Sequence, residues 1–363
     1  MFILDTLFLF FKVLSNLSKK YIILTKIIHK KRMSLMEIQI EKAILHVLDK
    51  NSSMPIFSEG LVNLDDDAIY NFIAMNLKKM YDDNSTKSGV LNETNELFDY
   101  IEKIDEKFVE VSREIADKLY KIMINQDSIP SADLLVTIVT IDGRRMFGIV
   151  KLNYKEGFTH FVDYADSATS NKIIKHKVIF ATEGQKTDEG VLVDLTDFKL
   201  KITEKEYLID GDKINYFSEI FLKCKPEISK NEAIKIVNKV AKEINKKYFD
   251  SDFTKDVKVK ETIYDEIQET SKINICKIAE KAFENNKEIQ EEYIEEVKKA
   301  GVKEEIVLLG EEPEKKFSKH KIKTDNGIEL TVPTDVYKNK EAIEFINNPD
   351  GTISILITNV KIK

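Results

Sequence analysis

The sequence predicts an α+β protein: an antiparallel sheet with helices on one face, followed by a helical section and a small β-rich C-terminal unit. Three observations carry this reading. Apolar strand-like segments between residues 132 and 203 follow one another through polar, Gly-containing turns without intervening helices, which pairs neighbours antiparallel. Residues 93–125 and 229–300 carry apolar side chains at helical spacing. The last 48 residues return to short alternating segments. The implied division is an N-terminal extension over 1–36, an α+β domain over 37–225, a helical section over 226–310 and the β-rich unit over 311–363.

Each element has a local signature. Ile38, Ile40, Ile44, Leu45 and Val47 mark a first strand. Asp65 is placed to cap a helix through about Tyr81, with Ile69, Phe72, Ile73 and Leu77 on one side. A polar loop over 82–89 leads to the stripe Ile101, Ile104, Phe108, Val111, Ile115, Leu119 and Ile122. Beyond Pro130, two apolar runs flank Asp142-Gly143 and read as a β-hairpin. Further strands are expected near 158–164, 173–180, 190–195 and 198–203. Ser229-Lys230-Asn231-Glu232 has the form of a capping box opening a helix to about Tyr248. Helical stretches near 261–284 and 287–300 stop at Gly301. In the tail, Ile322, Ile328, Leu330 and Val332 bracket the turn Asp325-Asn326-Gly327, a short helix is expected at about 339–347, and residues 352–362 alternate.

The composition excludes several classes. With 42% apolar and 33% charged residues, the chain can bury a full core. Twelve Gly and six Pro are too few for a long disordered linker. Cys224 and Cys276 share no close spacing, so neither a disulfide framework nor a thiolate metal site is expected.

The first 36 residues differ from the rest. The apolar run over 2–11 is interrupted by Asp5 and is shorter than the roughly 20 residues a membrane span needs. It also lacks a basic leader and a small-residue cleavage site. Two readings stand: a basic amphipathic helix on an anionic membrane surface, or a misassigned start with translation beginning at Met33. The second is preferred, and no membrane role is assigned. Seven Lys/Arg against Asp5 make this segment +6, which leaves −13 on the remainder of a chain whose net charge is −7. So acidic a body repels a polyanion, and any nucleic-acid role must rest on local basic patches.

Recognisable catalytic machinery is absent: no phosphate-binding Gly loop, nucleophile elbow, His-Glu-x-x-His or Cys-x-x-Cys occurs. His160, Asp163 and Asp166 sit near a strand end, but positions three apart on a strand face opposite ways, so they read as edge polar residues. Asp194, Asp197 and Lys199 weakly resemble the acidic–x–Lys element of Mg²⁺-dependent nucleases, and an ordinary solvated strand is the simpler reading. No catalytic or metal-ligating residue is assigned.

Basic surface is the stronger signal. Arg144 and Arg145 occupy the hairpin turn, with Lys151 and Lys155 beyond it. Lys239, Lys242, Lys246 and Lys247 cluster on one side of the capped helix. Lys315, Lys316, Lys319, Lys321 and Lys323, with Phe317 and His320 among them, form the densest group. The residues expected to touch nucleic acid are Arg144, Arg145, Lys151, Lys242, Lys246, Lys247, Lys319 and Lys321.

Segments in fixed order add a resemblance: Ala43-Ile-Leu-His-Val-Leu-Asp49, Asp133-Leu-Leu-Val136, Phe147-Gly-Ile-Val-Lys-Leu-Asn-Tyr154, Glu204-Lys-Glu-Tyr207 and Asn215-Tyr-Phe-Ser-Glu-Ile-Phe-Leu-Lys-Cys224. Together they resemble the bacterial nucleoid-associated protein family (NdpA type) over about 37–250. The tail from Lys323-Thr-Asp-Asn-Gly327 to Phe345-Ile-Asn-Asn-Pro-Asp-Gly351 is similar to the ending of Firmicute-type members. The resemblance implies a cytoplasmic, nucleoid-located DNA-binding protein with no enzymatic activity and no cofactor. It assigns no DNA contacts, so the basic residues above are a physical inference. The competing expectations are an adaptor brought to DNA by a protein partner that acts on it and, third, a Mg²⁺-dependent nuclease. An oligomer is compatible with either of the first two.

Overall fold

The computed structural model describes residues 36–361 apart from 53, 166–167, 181–186, 285, 309–316, 340 and 349–351. Residues 1–35 of the expected extension, and with them both readings of the start, lie outside the described residues, as do Asp166, Lys315 and Lys316. The chain divides into two compact units, one ending at Ser229 and one beginning at Lys230.

In the first unit the elements run β1 (Ile38–Leu48), α1 (Asp67–Tyr81), β2 (Lys87–Val90), α2 (Glu96–Lys103), α3 (Phe108–Ile124), β3 (Ala132–Ile141), β4 (Arg144–Asn153), β5 (Lys155–Ala165), β6 (Ala168–Ile179), β7 (Glu189–Asp194), β8 (Lys199–Thr203), β9 (Tyr207–Ile209) and β10 (Asp212–Ile214), then a π-helical turn at Phe217–Phe221. Six strands form one antiparallel sheet in the order β1-β3-β4-β7-β8-β2. The β3–β4 turn is the one expected: Asp142 and Gly143 both take positive φ, 48° and 77°, as a tight two-residue hairpin requires.

The α+β class with antiparallel pairing is therefore what the residues form. The helices, however, cover both faces of the sheet, not one. Leu134, Val136, Ile138, Phe147, Ile149, Val191 and Val193 pack toward α2, α3 and the π-helical turn. Their alternates Leu135, Val139, Val150 and Leu192 pack against Ile73, Leu77 and Met80 of α1. The physical reason is visible in β3, buried at nine of its ten positions. A strand covered on both sides reads as a continuous apolar run with no alternation.

Local differences from expectation are small. Asp66, not Asp65, caps α1, accepting the Ala68 and Ile69 N–H groups. The long helical stripe breaks into α2 and α3 at Ile104–Lys107. The strands expected near 158–164 and 173–180 exist, but among the described residues β5 and β6 pair only with one another, as a separate two-stranded ribbon.

The second unit contains α4 (Lys230–Phe249), α5 (Phe253–Thr270), β11 (Lys272–Asn274), α6 (Ile275–Ala282), α7 (Lys287–Lys299) and β12 (Glu305–Val307). Val237, Ile244, Ile263, Ile278, Phe283, Tyr293 and Val297 are buried here. Then come β13 (Lys319–Lys323), β14 (Glu329–Pro333), a one-turn α8 (Thr334–Tyr337), β15 (Ile343–Asn347) and β16 (Ile353–Ile357), arranged as two hairpins. The short helix expected at 339–347 is displaced to α8, because residues 343–347 pair with β16 as a strand. Phe345 packs on Phe253 of α5 and on Tyr337. Among the described residues no helix is long and apolar enough to cross a membrane.

Candidate nucleic-acid interface

The eight expected contact residues divide sharply by their neighbours. Arg144, 51% exposed, donates from Nη1 to Asp194 at 2.7 Å and to Asp197 at 3.2 Å. Arg145 donates from Nε to Glu41 and from both Nη atoms to Asp105, at 3.1 and 2.5 Å. These hydrogen bonds raise both guanidinium pKa values further. Both forks are spent inside the protein, where they tie the β3–β4 turn to the β7–β8 turn and to the α2–α3 junction.

Lys151 corrects the expectation outright. Its side chain is 0% exposed and its ammonium donates to Glu189 at 2.7 Å and to Asn153 at 2.6 Å. Tyr207 donates to the same Glu189 oxygen at 3.2 Å. Burial pulls the Lys151 pKa down, and the Glu189 carboxylate acts in the opposite direction. In this fold a phosphate cannot reach Lys151.

On α4, Lys247 pairs with Glu292 at 2.7 Å and lies over the Tyr248 ring. Its pKa is raised by that carboxylate first. Lys239 has Glu243 at 3.7 Å, one turn along. Lys242 and Lys246 are exposed, one turn apart, and have no ion pair among the described residues. Lys319, Lys321 and Lys323 share one face of β13, and His320 is buried on the other. Lys323 is paired with Glu329, while Lys319 and Lys321 are exposed and without an ion pair among the described residues. The structure thus leaves Lys242, Lys246, Lys319 and Lys321 as uncommitted cations.

One further cation belongs with them. Half-buried Lys260 of α5 has its pKa lowered by burial and then by the nearby Lys242 charge, with Asp256 opposing. Two lysines close enough to repel each other would both gain from a shared anion. In sequence, Lys260 sits in the run Lys255-Asp-Val-Lys-Val-Lys260, which reads as an ordinary solvated face, and only the packing of α5 beside α4 brings it near Lys242.

Charge is also partitioned between the units. Residues 37–229 hold 24 Lys/Arg against 35 acids, a net of −11, whereas 230–363 hold 25 lysines against 27 acids, a net of −2. The four uncommitted lysines all lie on the nearly neutral unit.

The candidates for chemistry resolve into structural contacts. Asp194 uses one oxygen on Arg144 and the other on the Thr196 N–H at 2.8 Å, so it staples the β7–β8 turn. Asp197 is held at a pKa of about 2, chiefly by Lys199. Asp163 is paired with Lys172 of the ribbon. A buried pair, His46 and Ser112, has Nε2 and Oγ 3.0 Å apart. The Ser58 N–H donates to Nδ1 of His46, so neutral His46 carries its proton on Nε2 and cannot take one from Ser112. Ser112 instead donates to the Val109 carbonyl. Burial pushes the Cys224 thiol up to about 11, far from a reactive thiolate. Among the described residues no group of three or more His, Cys, Asp or Glu is placed to hold a metal ion.

What remains is a two-unit α+β protein in which the four expected contact lysines without ion pairs lie on the C-terminal unit. A family model described as nucleoid-associated protein YejK matches residues 44–363, and the chain belongs to that family. No curated protein matches the sequence significantly.

Proposed function

We propose that this chain is a non-catalytic, cytoplasmic protein of the nucleoid that binds DNA with low sequence specificity, through phosphate contacts from Lys242, Lys246, Lys319 and Lys321, with Lys260 adding to the field at Lys242. The observation that carries this reading is the sorting of cations. Of the eight expected contact residues, the three on the acidic unit (Arg144, Arg145 and Lys151) are engaged internally, and the four without ion pairs lie on the unit with little net charge. At physiological salt the Debye length is about 8 Å, so exposed acids farther than that from the lysines oppose a bound strand only weakly. Nothing in the arrangement resembles a base-reading element, so contacts to phosphate are expected to dominate.

Fluorescence anisotropy of full-length protein with labelled duplexes of unrelated sequence tests this directly. Binding of similar strength to all duplexes, weakening steeply with salt, is expected. The strong acidity of residues 37–229 favours a second reading, an adaptor that reaches DNA through a protein partner. An adaptor shows no salt-dependent binding in the same titration.

A further inference from the structure

The β5–β6 ribbon exposes aromatic and aliphatic side chains that no other described residue covers. Phe158 is 74% exposed, Tyr164 79% and Ile173 81%. The chain passes from β4 into β5 at Tyr154, and among the described residues β5 and β6 pair with no other strand. An isolated two-stranded hairpin is marginal in water, and apolar groups of this size gathered on one ribbon mark an interaction surface.

The two edges differ. β6 carries Lys172 and Lys175, the kind of charge that protects an edge strand from pairing. On β5, residues 157–162 (Gly157, Phe158, Thr159, His160, Phe161, Val162) include no formally charged side chain. The ribbon's ion pairs are internal, Lys172 with Asp163 and Lys175 with Glu156 at 2.5 Å. That cancellation weakens its claim on phosphate and favours an apolar partner offering another strand edge.

We propose that the occupant is a second copy of this chain, which adds its β5 antiparallel to the free edge of β5 about a two-fold axis and makes a four-stranded β6-β5-β5′-β6′ sheet. Such an axis preserves the faces of the sheet, so even-numbered residues meet even-numbered ones and odd meet odd. The register that pairs all of β5 is centred on His160. It places Phe158 opposite Val162 of the other copy, Thr159 opposite Phe161, Glu156 opposite Tyr164, Gly157 opposite Asp163 and Lys155 opposite Ala165. No two like formal charges are opposed, and the aromatic–aliphatic pairs are of the kind that stabilise cross-strand contacts. A β6–β6 joint would instead gather four lysines near the axis.

Sedimentation velocity of the full chain, with and without edge variants, tests the proposal. The wild type is expected to be dimeric. Thr159→Asp/Phe161→Asp opposes two carboxylates twice across the axis and should weaken the dimer by roughly tenfold or more. Thr159→Lys/Phe161→Asp opposes unlike charges at the same places and should restore it. Circular dichroism confirms that each variant is folded. In a Cys224→Ser/Cys276→Ser background, His160→Cys should cross-link to its own copy on mild oxidation and Thr169→Cys, on the outer strand, should not. A monomeric wild type, a dimer indifferent to the paired carboxylates, or open-ended polymers from β5–β6 pairing would each overturn the proposal. So would a monomer whose DNA affinity drops in Phe161→Asp, which would give the ribbon to nucleic acid instead.

Discussion

The Lys151 ammonium and the Glu189 carboxylate meet at 2.7 Å across β4 and β7, with neither side chain reaching solvent. Asn153 and Tyr207 add hydrogen bonds to the ammonium and to one carboxylate oxygen, and the Tyr207 and Tyr216 rings each lie 5.9 Å from the ammonium. Such a pair is worth little net stability when intact, because both ions have lost their hydration, but breaking it strands a buried charge.

Lys151→Met alone should therefore destabilise the protein by about 3–5 kcal/mol, measured by urea denaturation. Lys151→Met/Glu189→Leu should recover most of the loss, since no ion is then left unpaired. DNA affinity at equal folded concentration should be the same for the double variant and the wild type. A double variant as unstable as the single one would contradict this account of the pair.

Acid should weaken the first unit through His46. Burial, with the Arg113 charge nearby, pushes the His46 pKa down to about 4 from an ordinary 6.5. Between those values the unfolded chain takes up a proton that the folded one refuses. The contribution to stability is thus fully present above pH 6.5 and is lost as pH falls toward 4, amounting to about 3 kcal/mol. His46→Asn keeps an acceptor for the Ser58 N–H and removes the titration. Amide hydrogen exchange over residues 36–229 should show the slope in the wild type and its loss in the variant, and parallel curves would refute the assignment. Reading exchange in this unit alone matters, because His320 of the other unit is also pushed down to about 4, by burial and by Lys260 and Lys338.

Gly190, in β7, lies under α1. A Cβ there would stand 2.6 Å from the Met80 methyl and 2.9 Å from the Ile149 carbonyl oxygen. The methionine can swing away but the backbone oxygen cannot. Gly190→Ala should cost about 1–3 kcal/mol in a urea titration, and a neutral result would show that β4 and β7 can separate at this point.

Much of the fold was legible because local chemistry and tertiary packing agree. Asp142-Gly143 forms its turn from the backbone freedom of two residues, and β1, α1, α3 and α4 follow their own periodicity. The second helical layer is hard to read from the sequence, because its sign is a lack of alternation in residues 132–141, where a sheet covered on one side would alternate. The basic residues were harder to judge for another reason. Arg144 and Asp194 are 50 residues apart in the chain, and Arg145 and Asp105 are 40 apart. Proximity in sequence says nothing about such partners, so a pair of arginines at a rigid turn looks free until the fold supplies its acids. Lys151 carried a usable hint, since a lone lysine between Val150 and Leu152 in a fully apolar strand has nowhere to go but inside.

Under the proposed function, nucleic acid is held by Lys242, Lys246, Lys319 and Lys321 of the C-terminal unit and not by the arginines of the hairpin turn. The most direct test is the slope of log affinity against log salt for three proteins. Lys242→Ala/Lys246→Ala/Lys319→Ala/Lys321→Ala should reduce the slope by up to about 0.9 per lost contact, while Arg144→Ala/Arg145→Ala should leave it unchanged. An unchanged slope for the lysine variant, or a reduced one for the arginine variant, would contradict it.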